Sequence, residues 1–149
     1  MYVHFDDLED LFCAASERQN FTIGRFLVPV PSDGPFEDRL ASFVAQRSEI
    51  WEATAPVRAA AALQEPFSPV LASILAGARS VSTVDLQRVF HCEFEQLDPQ
   101  FQASVRATVD ALSAGTTWDH WRKFLGQTPD EARNTLTIAL RQLLTGSSS

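Results

Sequence analysis

The chain has 149 residues, of which 45% are hydrophobic and 21% charged. That is enough apolar material for one folded domain and too ordinary a balance for a disordered polymer. Its net charge of −7, with twelve scattered basic residues and a single lysine, Lys123, excludes a surface that grips nucleic acid through phosphate contacts.

The two cysteines, Cys13 and Cys92, lie far apart in apolar company. They form neither a disulfide framework nor a zinc spacing, and they read as buried free thiols of a reducing compartment. Asp6, Asp7, Glu9 and Asp10 interrupt any signal peptide, and no apolar run approaches the roughly 20 residues of a membrane helix. A cytoplasmic protein without a membrane partner is the expectation.

In chain order, Asp7 precedes Leu8, Leu11, Phe12 and Ala15 at helical spacing, which predicts a first helix over 7–19 with Asp7 and Asp10 at its start. The stretch from Asn20 to Pro35 is irregular and apolar, with Gly24, Pro29, Pro31 and Gly34. A second helix begins near Pro35 and carries Leu40, Phe43, Val44, Arg47 and Trp51, and Pro56 ends or kinks it. Ala59 to Leu63 makes a short third helix before Glu65, Pro66 and Pro69 break the pattern. Val70, Leu71, Ile74, Leu75 and Ala78 form a fourth.

Thr83 caps a fifth helix with the stripe Leu86, Val89, Phe90 and Phe94. Asp98-Pro99 reads as N-cap and first-turn proline of a sixth, bearing Phe101, Val105, Val109 and Leu112. Trp118, Trp121, Phe124 and Leu125 extend its apolar series beyond Gly115. Thr128-Pro129-Asp130-Glu131 opens the last helix as a capping box, and Gly146 stops it ahead of a frayed tail at 147–149. No segment alternates at period two, so the chain is all-α with seven or eight helices, and it has no internal repeat.

No catalytic grouping stands out. His4, His91 and His120 do not pair at metal-ligand spacing. In His91-Cys92-Glu93 the neighbours diverge by about 100° on a helix and cannot converge on one ion. The serines lack a nucleophile elbow, and no glycine loop cradles phosphate. The acid pairs Asp6/Asp7 and Asp130/Glu131 complement helix dipoles. The expectation is a protein that is not an enzyme and uses neither metal nor cofactor.

The aromatic residues say more. Trp51, Phe67, Phe90 and Phe94 sit among small residues on the middle helices, and large rings facing small ones leave room between helices for an apolar molecule. With Leu71 and with His91 at its edge, they make the candidate pocket. At the C-terminal end, Val109, Leu112, Trp118, Trp121, Leu125, Leu136, Leu140 and Leu143 present more apolar surface than one internal stripe. A twofold interface between two copies is the expected sink.

Tyr2-Val3-His4-Phe5 followed by Asp6-Asp7-Leu8-Glu9-Asp10-Leu11-Phe12 resembles the end of the helix-turn-helix in the TetR family of transcriptional regulators. Tyr2, His4, Phe5, Glu9 and Leu11 match its Tyr-x-His-Phe closure and the helix start after it, while the family's usual lysine falls on Leu8. Arg39-Leu40-Ala41-x-Phe43-Val44-Ala45-x-Arg47 through Trp51, then Pro56-Val57-Arg58-x-Ala60, looks like the family's fifth and sixth helices. Asp110-Ala111-Leu112-Ser113, Trp118-x-x-Trp121 and Thr128 to Leu144 resemble its closing pair.

The resemblance implies a helical regulatory domain over 6–146 whose last two long helices form a dimeric four-helix bundle. It also implies a small apolar or amphipathic effector held among the middle helices. DNA would be read by a helix-turn-helix of which only residues 1–5, with Tyr2 and His4, remain here. The effector prefers the conformation that fits DNA poorly, and that difference in affinity is the coupling energy. On this reading the chain is the ligand-responsive part of a repressor. The alternative is a truncated helical homodimer that binds a small molecule and has no DNA role. A small all-α enzyme would instead require polar groups converging inside the cavity.

Overall fold

The computed structural model describes residues 28–146. The helix expected over 7–19, the remnant at 1–5 with Tyr2 and His4, Cys13 and the tail at 147–149 lie outside the described residues. Within them the chain is all-helical, with six α-helices and no strand. These are α1 (Phe36–Gln64), α2 (Pro69–Val89), α3 (His91–Gln96), α4 (Pro99–Leu112), α5 (Gly115–Asp119) and α6 (Pro129–Thr145). A 3-10 turn, Glu65–Phe67, joins α1 to α2, and a π-helical turn, His120–Phe124, follows α5.

Two expected breaks do not occur. Pro56 lies inside α1, so the expected second and third helices are one element of 29 residues. Proline withholds a donor from the turn before it, and here side chains feed that turn: Arg58 Nη2 donates to Trp51 O at 2.7 Å, and Thr54 Oγ1 donates to Ile50 O at 2.7 Å. Thr83 is likewise not a cap. It sits within α2, and its hydroxyl engages Arg79 O and Asp110 Oδ1. The expected fourth and fifth helices therefore run together until Phe90, whose backbone (φ −109°, ψ 21°) turns the chain into α3.

The local stop and start signals behave as read. The Asp98 carboxylate accepts from Gln100 N at the head of α4, and Thr128 Oγ1 accepts from Glu131 N at the head of α6. Gly146 takes the left-handed conformation after α6 (φ 52°), which costs a glycine little.

One core joins the elements. α1 contributes Leu40, Phe43 and Val44; the end of α2 and α3 contribute Leu86, Val89, Phe90 and Phe94; α4 contributes Val109. α6 turns Ala132, Leu136, Leu140 and Leu144 inward at every fourth position, against α1 and α4. Phe90 stands edge-on to Phe43 at 5.1 Å, an arrangement that ring quadrupoles favour. Each fully buried Leu or Phe contributes about 1.5–3 kcal/mol, so this cluster is what holds the short helices to the long ones. No described helix is long and apolar enough to cross a membrane.

Candidate functional site

α1 is the axis on which the polar features of the fold are mounted. Near its start, Arg39 is buried and makes four hydrogen bonds. Nε donates to Gly34 O at 3.0 Å, Nη1 to Val89 O at 2.8 Å, and Nη1 and Nη2 to the two oxygens of Glu93 at 2.5 and 2.8 Å. It thereby satisfies a carbonyl at the end of α2 and clamps α3 to α1. The paired hydrogen bond raises the Arg39 pKa and holds the Glu93 carboxyl below the ordinary carboxylate range.

Two turns on, Arg47 is buried as deeply but compensated far less. Nη2 donates to Ser82 O at 2.9 Å, Asp85 stands at 3.6 Å, and the guanidinium lies over the Phe43 ring at 4.8 Å. Burial lowers its pKa, and the nearby charges of Asp85 and Asp110 only partly oppose that. Asp85 is drawn instead toward Arg88, at 2.9 Å, and Asp110 accepts from Thr83.

The C-terminal half of α1 is bolted to α5 and the π turn. Trp51 Nε1 donates to Ser113 O at 3.0 Å, and Arg58 reaches both oxygens of Asp119 at 2.5 and 3.0 Å. Glu52 Oε1 accepts from Trp118 Nε1 at 2.8 Å and Arg122 Nε at 2.7 Å, which lowers its pKa. A shallow open groove of about 360 Å³ runs between α1 and α6, floored by Leu40 and Val44 and bridged by the Glu37–Arg141 ion pair.

The six candidate pocket residues fall in different places. Phe90 and Phe94 are fully buried in the core, Leu71 is buried at the foot of α2, and Trp51 is half-buried against α5. Phe67 is 66% exposed on the 3-10 turn, and His91 is exposed on α3. None of them lines the groove. Cys92 is also exposed, against the expected buried thiol, because α3 turns Phe94 into the core and leaves Cys92 on its outer side. Among the described residues no cluster of three His, Cys, Asp or Glu could hold a metal.

The candidate interface residues are mostly interior. Val109, Trp118, Trp121, Leu136 and Leu140 are buried within the single chain, Leu112 and Leu143 pack half-buried against the same core, and Leu125 is exposed. A second copy is not needed to hide the first five. The outer face of α6 is Glu131, Asn134, Ile138, Gln142 and Thr145, with Ile138 its one large apolar side chain. The apolar stripe of α6 is taken up within the chain, chiefly by α1 and α4, with α3 and the π turn beside them.

The polar partners on α1 carry the geometry that the aromatic pattern missed. A signal existed: Arg39 and Arg47 occupy the same apolar-spaced stripe as Leu40, Phe43 and Trp51, where an exposed arginine has no place. No family model, no curated protein and no solved structure matches the chain.

Proposed function

We propose that this chain is the effector-binding part of a TetR-type transcriptional regulator, holding a small amphipathic molecule among its middle helices. One observation carries the reading. Four residues that bear the family resemblance, Trp51 and Arg58 on α1 and Ser113 and Trp118 further on, meet around one junction through Trp51–Ser113, Glu52–Trp118 and Arg58–Asp119. Two distant parts of the resemblance thus serve one junction, with Glu52 and Asp119 as the acidic partners.

On this reading a ligand that shifts α1 or α2 moves the chain at Val28 and Val30, which is fastened to both. Gln46 Nε2 donates to Val28 O and Arg88 Nη2 to Val30 O, each at 2.8 Å. A change of ligand occupancy would reach a helix-turn-helix ending at Tyr2–Phe5 by this route. The described helices do not themselves offer DNA a basic surface. Pairing of two copies, which the resemblance implies, falls to what the core leaves outside: Phe101 and the small residues Ser104, Ala107, Thr108 and Ala111 on α4, with Ile138 on α6.

Sedimentation tests the pairing: a dimer is expected, and Ala107→Glu with Ile138→Asp should give folded monomers. A thermal-shift screen with small amphipathic molecules tests the binding role, since a ligand of the native state raises Tm. A chain whose Tm responds to none of them would remove it.

A further inference from the structure

No further inference is drawn: the strongest candidate, the exposed apolar patch that Phe124 and Leu125 form beside Lys123 at the π turn, carries nothing because nothing in the structure shows what covers it.

Discussion

Gly115 lies so close beneath Arg58 that a methyl group on it would stand 2.8 Å from Arg58 Nη1 and 3.1 Å from Trp51 Cε3. The guanidinium cannot swing aside freely, because it is held by Asp119, Thr54 Oγ1 and Trp51 O. Gly115→Ala should therefore cost about 1–3 kcal/mol, the usual range for overpacking, read as a lower urea midpoint. In an Arg58→Ala background the same change should cost much less, since the group it collides with is gone. Equal costs in the two backgrounds would show that the glycine is required for another reason.

Gly77 presents the opposite case. It lies inside α2, and a Cβ there would meet nothing within 4 Å. Glycine in a helix interior is about 0.5–1 kcal/mol worse than alanine through backbone entropy. Gly77→Ala should raise Tm by the equivalent of that amount. A fall in Tm would mean that the middle of α2 is not clear of neighbours.

These two glycines also show what the sequence could and could not disclose. Caps were legible because they are local: Asp98 and Thr128 each satisfy a backbone N–H within three residues, and Gly146 needs only its own φ. Pro56 and Thr83 carry no such local signal, because their outcome is tertiary. The first is accommodated by Arg58, which is itself held by Asp119 61 positions away, and the second by Asp110 on α4. Apolar stripes on the closing helices were found correctly, but a stripe does not say whether its partner is the same chain or a second one. That is why Trp118, Trp121, Leu136 and Leu140, whose pattern fits an interface equally well, lie inward. Rings and arginines differ for a similar reason: Phe90 and Phe94 fill space, whereas Arg39 and Arg47 stand in an apolar stripe that gives them little solvent.

Arg39→Met should be among the most damaging single changes in the chain. It leaves the Glu93 carboxylate, whose side chain is 12% exposed, without its bidentate partner, and it also strips the donor from Val89 O. Breaking one side of a buried pair costs about 3–5 kcal/mol. Arg47→Met removes a charge that is poorly compensated to begin with and should be close to neutral. Chemical denaturation of the two variants side by side checks the contrast, and equal losses would refute it.

Acid should loosen the junctions that carboxylates make on α1. The pKa of Glu93 is lowered by its hydrogen bonds to Arg39, and that of Glu52 by those to Arg122 and Trp118. A carboxyl whose folded pKa lies below its unfolded value, roughly 4.3, binds protons more readily in the unfolded chain. Its contribution is thus complete above the ordinary carboxylate range and is lost as pH falls through the lowered folded value. Wild-type stability should decline from about pH 5 downward. Glu93→Gln and Glu52→Gln should be weaker at pH 7 but lose less on acidification, so that their curves converge on the wild type in acid. Glu37 provides the control. Its pKa is lowered by Arg141 as well, but that pair is exposed and screened by solvent, so Glu37→Gln should track the wild type at every pH. Urea midpoints taken from pH 7 to pH 3 decide the matter: Glu93→Gln running parallel to the wild type would mean that the Arg39 clamp holds as well with a neutral partner as with a charged one.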